Sequence, residues 1–310
     1  KQILSAGEEI DLILGRQSPS YDYFNFEIFK NKHRLKFFHG SLDASIEGMN
    51  RYLVGKSYEY SNSSEFIFSL AEIVIYSGLN RPVDLAYINP IASHLEIELN
   101  DRQNMLGGHN ANAIWALNID KLFFKRLRIS INYFIDELIL DKIQEQRGKT
   151  NSYGLSFKGS NYLSFNGYQF IPYFSYSMIS TYALRHRNFA NNFIQRGIPL
   201  GSSYGSDGMN GEVGLKVFKR NKYIFNLKYF ISKLGENSLA LNPYEGDITY
   251  LTSDFPSGEL IEQKALMFQF EYSLIKNLYA SLVFKNEIES RKTKFNFGIS
   301  YYYDIFNSDI

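Results

Sequence analysis

Leu127-Arg128-Ile129-Ser130-Ile131-Asn132-Tyr133-Phe134-Ile135-Asp136 is the stretch from which the architecture is read. Leu127, Ile129, Ile131, Tyr133 and Ile135 fall on one side of an extended chain, and Arg128, Ser130, Asn132 and Asp136 on the other. That period of two belongs to a β-strand with two unlike faces. The pattern returns in Phe295, Phe297, Ile299, Tyr301 and Tyr303 against Lys294, Asn296, Gly298, Ser300 and Asp304. It returns again in Tyr223, Phe225, Leu227, Tyr229 and Ile231 against Asn226, Lys228 and Ser232, and in Leu266, Phe268, Phe270 and Tyr272 against Gln269, Glu271 and Ser273. A soluble sandwich and a membrane barrel both produce this alternation. They differ in which solvent the apolar face meets, a core in one and lipid in the other.

The connections separate the two. Strands are expected near 8–15, 22–30, 33–43, 49–57, 64–76, 111–118, 125–140, 149–159, 165–180, 211–219, 222–234, 263–274, 278–288 and 293–305. Lys276–Asn277, Arg220–Asn221, Ser160–Gly167 and Asp120–Leu122 mark tight links, and between them lie long stretches near 77–110, 181–210 and 235–262. Short turns at one end and long loops at the other are the asymmetry of outer-membrane barrels. The expected fold is therefore all-β, an antiparallel up-and-down transmembrane β-barrel of about 14 strands, with the long loops extracellular. An even count places both termini on the periplasmic side. No Gly-, Pro- or Ser-rich linker divides the chain, so residues 1–310 read as a single domain.

Composition fits. Aromatic residues make up 16% of the 310, with 24 Tyr and 26 Phe against one Trp, more rings than a soluble core of this size accommodates easily. Lys and Arg total 33 and Asp and Glu 32, which leaves no basic field and gives nucleic-acid binding no support. The absence of Cys excludes a disulfide framework or thiolate metal site. No stretch approaches the roughly 18 continuous apolar residues of a membrane-spanning helix.

Several short segments occur in an order found in one family. They are Leu14-Gly15-Arg16-Gln17; His39-Gly40-Ser41-Leu42 with Asn50-Arg51-Tyr52-Leu53; Ala71-Glu72-Ile73-Val74-Ile75-Tyr76-Ser77-Gly78; and Tyr87-Ile88-Asn89-Pro90. Asp101-Arg102-Gln103-Asn104, Asp136-Glu137-Leu138, Arg185-His186-Arg187-Asn188 and Gly197-Ile198-Pro199-Leu200-Gly201 follow. In this order the chain resembles the Wzi-type capsule assembly proteins, or their relatives in the Bacteroidetes. The resemblance implies a bacterial outer-membrane location, attachment of capsular polysaccharide at the cell surface, and no enzymatic activity or cofactor. Implied partners are outer-membrane lipid and lipopolysaccharide, surface polysaccharide and other outer-membrane proteins. The family has an 18-stranded barrel with a periplasmic helical plug and a segment ahead of Gly-Arg-Gln. This chain begins almost at that motif, so it is expected to be a shortened relative or to lack the N-terminal part. Ser18-Pro19-Ser20-Tyr21 also departs from the Gly-Pro-Gly that usually follows.

Within the stretch 181–210, Tyr182, Arg185, His186, Arg187, Asn188, Phe189 and Arg196 are the candidate polysaccharide-binding residues. Rings stack on the C–H faces of sugars, and amides and guanidinium groups bond hydroxyls and carboxylates. The same residue types would equally tie an inward-folded loop to the barrel interior. His94, with Glu96, Glu98 and Asp101 nearby, is a conceivable metal cluster but reads more simply as a solvated loop, and no metal is expected. Ser202 or Ser203 with His186 and Asp207 would be the only triad-like grouping, and sequence proximity does not make a triad. Lumen-side charges (Lys36, Arg128, Asp136, Lys158, Glu212, Lys216, Lys228, Glu271 and Lys285) are mixed in sign, which suits internal ion pairs or a weakly selective porin-like channel. A scaffold role in a larger outer-membrane complex is the other alternative. The stretches 77–110 and 181–210 are expected to meet over the barrel mouth. They would shelter Leu85, Ile88, Ile91 and Leu95 in one, and Phe189, Phe193, Ile198 and Leu200 in the other. Arg185, Arg187 and Arg196 would then face Glu96, Glu98 and Asp101, or face outward to an acidic polymer.

Overall fold

The computed structural model describes residues 12–15, 18–44, 46–62, 65–100, 110–138, 150–219, 222–246, 254–275, 278–288 and 292–301. The first eleven residues of the expected 1–310 domain, Arg16 and Gln17, the stretch 101–104 and His109 lie outside the described residues, as does the first half of the expected strand 8–15.

The chain forms β1 (Asp22–Lys30), β2 (His33–Leu42), β3 (Met49–Ser61), β4 (Phe66–Leu79), helices α1 (Leu85–Ile88) and α2 (His94–Leu99), β5 (Ala111–Phe123) and β6 (Leu127–Glu137). There follow β7 (Ser152–Asn161), β8 (Leu163–Phe165), β9 (Tyr168–Ile179), β10 (Ile194–Gln195) and β11 (Ile198–Pro199). The last five strands are β12 (Gly208–Lys219), β13 (Tyr223–Leu234), β14 (Ile261–Ile275), β15 (Leu278–Glu287) and β16 (Lys292–Tyr301). A single 14-stranded sheet runs β1-β2-β3-β4-β5-β6-β7-β9-β12-β13-β14-β15-β16, with β8 beside β9 and β10–β11 as a separate ribbon. Every pairing is antiparallel, with neighbours in sequence mostly neighbours in the sheet. This is an up-and-down barrel wall.

The expected count of strands is met, though its make-up differs. Residues 12–14 are a bend and not part of a strand, and the short β8 is the additional member. Because thirteen long strands follow one another, β1 and β16 run in the same direction, and β1 starts at the long-loop end. The expectation of two termini at the short-turn end is corrected for the first described strand.

Turn chemistry fixes one end. Asn166-Gly167 joins β8 to β9 with positive φ at both residues (49° and 75°), the mirror-image turn that matches strand twist. The β5–β6 turn sits at Phe124–Arg126, four residues later than the expected Asp120–Leu122, and Phe124 and Lys125 adopt positive φ of 52° and 56°. A Phe-Phe-Lys-Arg run offers no turn residue, so its position is set by register, which places Asp120 opposite Ser130.

Burial shows which way the faces point. Phe295, Phe297 and Ile299 are 62%, 64% and 62% exposed, whereas Ser130, Asn132, Asn118, Ser156 and Ser177 are buried. This is the reverse of a soluble sheet. The buried polar side chains satisfy one another across strands: Asn118 Nδ2 donates to Asn132 Oδ1 (2.5 Å), and Asn132 Nδ2 to Ser156 Oγ (3.0 Å). Arg128 Nε donates to both oxygens of Asp120 (2.9 and 3.0 Å), and Ser130 donates to the same carboxylate. Lys228 pairs with Glu212 at 3.0 Å, and Tyr173 donates to Glu212 at 2.8 Å. Mixed lumen charge therefore becomes internal ion pairing.

Toward the long-loop end the lumen changes character. Phe38, Leu53, Ile73, Ile75, Ile114, Phe134 and Ile179 face inward there and pack with Leu12–Leu14, Ala183, Leu184, Phe193, Ile194, Leu200 and Leu239. The Phe134 ring lies over Gly154 of the next strand, where any Cβ would overlap it. The loop-side part of the barrel interior is thus an apolar core made by wall and loops together.

An inside-out wall has a measurable signature. Ile131→Arg, at the middle of the lipid face of β6, should lower the unfolding free energy in phospholipid vesicles by roughly 2–4 kcal/mol. Lys216→Gln, on the lumen face, should change it by less than about 1 kcal/mol. Equal effects would contradict the assignment of the faces.

Candidate functional site

The connection 180–207 does not form a lid above the mouth; it folds down into the lumen. A chain that leaves the sheet and enters a barrel carries carbonyls with no strand partner, and each needs a donor. Arg51, on the lumen face of β3, supplies them. Its Nε donates to Ala190 O (2.5 Å), Nη1 to Asp43 O (2.7 Å), and Nη2 to Asn192 O and Ile194 O (3.0 and 3.1 Å). Arg185 does the same for the next loop: Nη1 donates to Asn242 O and Glu245 O (3.0 and 3.2 Å) and Nη2 to Asn237 O (2.8 Å).

Carboxylates and amides complete the fixation. Asp136 Oδ2, at the end of β6, accepts from Leu184 N at 2.6 Å. Buried Asp207 accepts from Thr181 Oγ1, Ser257 N, Ser257 Oγ and Asn237 N at 2.8, 2.9, 2.6 and 3.1 Å. Asn192 Nδ2 donates to Pro243 O (3.1 Å) and Glu245 O (2.7 Å), and its Oδ1 accepts from His186 N (2.8 Å). Asn112 Nδ2 donates to Arg185 O at 3.1 Å. The N-terminal segment seals the far side, with Gly15 N donating to Leu200 O (2.6 Å) and Ser202 N to Leu12 O (3.2 Å). Gly201 faces that segment, and a Cβ there would overlap the Leu12 carbonyl.

The candidate binding residues are thereby divided. Arg185 is buried and committed to loop carbonyls, so the expectation that it faces Glu96, Glu98 and Asp101 or a polymer is corrected. His186 is half-buried, its Nδ1 accepts from Asn188 N at 3.0 Å, and burial pulls its pKa down, which keeps it neutral near pH 7. Asn188 acts mainly within the loop: its side chain accepts from Ala190 N (3.1 Å) and donates to Asn110 Oδ1 (2.7 Å). Tyr182 is half-buried. Arg187 and Arg196 are exposed, and Arg196 pairs with exposed Asp43, not with the acids of α2.

Beside exposed Arg196 stands Tyr244, which sequence reasoning did not single out. Its ring meets Phe189 edge to face, with centroids 6.4 Å apart, and it lies against Gly197, beside Arg196. Gly246 packs on the Arg187 carbonyl. The only sequence signal was a Tyr in the turn-rich run Asn242-Pro243-Tyr244-Glu245-Gly246. Arg187, Asn188, Phe189, Tyr244 and Arg196 thus form a fixed, solvent-facing group of two cations, two rings and an amide at the long-loop end.

His94 is buried on α2, pairs with Glu98 at 3.4 Å, and its Nδ1 lies 2.8 Å from Tyr87 Oη. Among the described residues no group of three His, Cys, Asp or Glu is placed to hold a metal. The hydrogen bonds of Asp207 run to Thr181, Asn237 and Ser257, and those of His186 to Asn188 and Asn192, so these two do not form a relay.

No family model and no curated protein matches the chain by sequence. Among solved structures, Wzi of Escherichia coli superposes with a TM-score of 0.61 at 11% identity over 97% of this chain. Wzi is described as an outer-membrane protein involved in group 1 capsule assembly and as a carbohydrate-binding β-barrel. The chain spans 62% of the length of that structure. BamA from Haemophilus ducreyi superposes at 0.45 and 12% identity, over 90% of this chain and 61% of the other. The fold is that of outer-membrane β-barrels.

Arg51→Ala should release four loop carbonyls and weaken the lumen packing, at a cost of about 3 kcal/mol for losing one partner of a buried charged network. Single-channel recording in planar bilayers should show openings that the parent protein lacks. A silent variant with unchanged stability would mean the loop is held without Arg51.

Proposed function

We propose that this protein resides in the bacterial outer membrane, with its long loops at the cell surface, and holds an acidic surface polysaccharide there without chemical conversion. The observation that carries the reading is the group at the long-loop end. Arg187 and Arg196 stand exposed around the Phe189–Tyr244 pair, on a loop pinned from beneath by Arg51, Arg185 and Asp207. A preorganised surface of this composition suits a polymer bearing carboxylates: guanidinium groups take the charges, an aromatic face takes the sugar ring, and little ordering entropy is lost on binding. The structural likeness to a carbohydrate-binding barrel supports the same reading. In this proposal Arg185 and His186 support the surface from below, Tyr182 flanks them, and contact with sugar belongs to Arg187, Asn188, Phe189, Arg196 and Tyr244.

A porin-like role is less favoured because the connection 180–207 fills the loop-side half of the lumen with a dry core. Membership of a larger outer-membrane assembly is separable by co-purification.

Arg187→Ala and Tyr244→Ala should each weaken binding of a purified acidic capsular polysaccharide about tenfold or more, as expected for loss of one charged hydrogen bond or one stacked ring. Thermal stability should be unchanged. Deletion of the gene in a capsulated host, with capsule staining, tests the role in cells. Unaltered capsule retention together with unaltered binding by both variants would remove the proposal.

A further inference from the structure

The connection 80–110 behaves unlike the loop that enters the lumen. Register places Phe37, Tyr52, Val54, Lys56, Glu72, Val74, Tyr76, Ala113 and Trp115 on the outward face of β2–β5, opposite in sense to the lumen residues Arg51, Leu53, Ile73 and Ile114. Tyr87, Ala92 and Ile97, from α1, α2 and the link between them, pack on Phe37, Val54, Val74, Tyr76 and Ala113. The described part of this connection is therefore a flap clamped to the outside of the barrel wall. Among the described residues, the expectation that it meets the other loop over the mouth is met at Asn110, which accepts from Asn188 and Asn191 at the rim.

Beneath the flap lies a feature no lipid-facing wall should carry uncovered. Lys56 and Glu72, in the middle of β3 and β4, form an outward ion pair at 3.6 Å. At the same level the next two strands present Trp115 and Ile135, so the pair sits within the apolar band. The flap completes its coordination: Lys56 Nζ donates to Ala92 O, and Glu72 Oε1 accepts from His94 N (2.9 Å) and Trp115 Nε1 (3.1 Å). Arg81 adds a second tie. It pairs with Asp84 at 3.2 Å and lies over the Tyr76 ring, which stacks on Tyr87 at 4.6 Å.

The other face of the flap is apolar as well. Ile91, Leu85, Leu99 and Leu95 are 91%, 79%, 74% and 51% exposed and Val83 is exposed beside them; the charges on this segment are Glu96, half-buried, and Glu98, whose side chain is 41% exposed and pairs with His94. This face continues the uncovered outward face of β4 at Leu70. A helix apolar on both sides needs an apolar medium on both. The wall supplies one. We propose that acyl chains of the surrounding lipid leaflet supply the other, so that α1 and α2 are immersed in the membrane as a collar that shields Lys56–Glu72 from hydrocarbon. The proposal rests on the membrane placement proposed above and not on any sugar.

The chain has no Cys, so single nitroxide labels can be introduced at will. Ile91→Cys, Leu95→Cys and Leu99→Cys are labelled in protein refolded into phosphatidylcholine–phosphatidylglycerol vesicles. Leu70→Cys serves as the lipid-facing control and Leu241→Cys as the loop control. Ile91 is almost wholly exposed, so a label there disturbs no packing. In power-saturation EPR, oxygen should relax the three flap labels several-fold more than a water-soluble nickel chelate does, as at position 70. Nickel access equal to that at position 241 would place the flap in water and overturn the proposal. Low access to both reagents would mean that protein, a second copy included, covers it, which overturns the proposal equally. Nickel access at position 70 itself would instead take down the membrane placement on which it rests.

Discussion

A guanidinium group that donates to backbone carbonyls is what allows this barrel to have an interior at all on its loop side. Strands satisfy their own N–H and C=O groups, but a loop that turns into the lumen cannot, and water is excluded by Phe134, Phe193 and Leu200. Arg51 meets three successive carbonyl regions at once because its fork of donors is fixed and always charged. Once the segment 190–194 is held there, Phe193 and Ile194 face the wall residues Leu53 and Ile73, and the dry core follows. Arg185 then extends the same device outward to 237–245. The surface group around Tyr244 is a consequence of this chain of fixations, each layer resting on the one beneath.

The division between polar and apolar lumen follows from the same constraint. Where no loop enters, toward the short turns, the interior holds Asp120, Arg128, Asn118, Asn132, Glu212 and Lys228, which pair across strands. Where the loop enters, wall positions of identical orientation become Ile73, Ile114 and Phe134. One strand, β6, shows the change within its length: Ser130 and Asn132 face the polar half and Phe134 the dry half, on the same side.

That switch explains what was legible in the sequence. Outward positions of β6, β13 and β14 are apolar through the middle of each strand, giving way to Lys233, Glu262 and Lys264 only at the loop ends of β13 and β14, so period-two counting located these strands to within a few residues. The loop asymmetry was equally readable, because connections of two or three residues contrast plainly with 180–207 and 235–260. Less legible was anything that depended on three dimensions. Phe134 breaks the alternation for a reason that lies in Leu184 and Phe193, far along the chain. Arg185 and Arg187 are two residues apart and indistinguishable by type, yet one is inside and one outside, because the chain bends there and does not keep the alternation of a strand, which would put both on one side. Tyr244 gained its place from Phe189 and Gly197, and no local pattern announces such a pairing.

Why one long connection dives inward and the other lies on the outer wall is a matter of what each must satisfy. Residues 181–207 intersperse their apolar side chains with Arg185, Asn188, Asn191, Asn192, Gln195 and Asp207, enough donors and acceptors to serve a backbone with no sheet around it. The lumen, lined by polar side chains and Arg51, offers partners for them. The flap has a different composition. Its short helices make a few backbone bonds of their own, from Tyr87 N to Asp84 O, Ile97 N to Ser93 O and Asn100 N to Glu96 O, and Asp84 and Ser93 cap them by accepting from Ala86 N and Glu96 N. Tyr87 and Ile97 on one side and Leu85, Leu95 and Leu99 on the other give it apolar side chains on both sides, with Glu96 and Glu98 of α2 the charged exceptions. Such an element fits against a wall whose outward face is already apolar, and only Lys56 and Glu72 there require the hydrogen bonds it can spare, from His94 N and to Ala92 O. The two loops are sorted by hydrogen-bond demand: the one with many groups to satisfy goes where donors are plentiful, and the one with fewer goes where contact is mainly apolar and Lys56 and Glu72 are the polar partners.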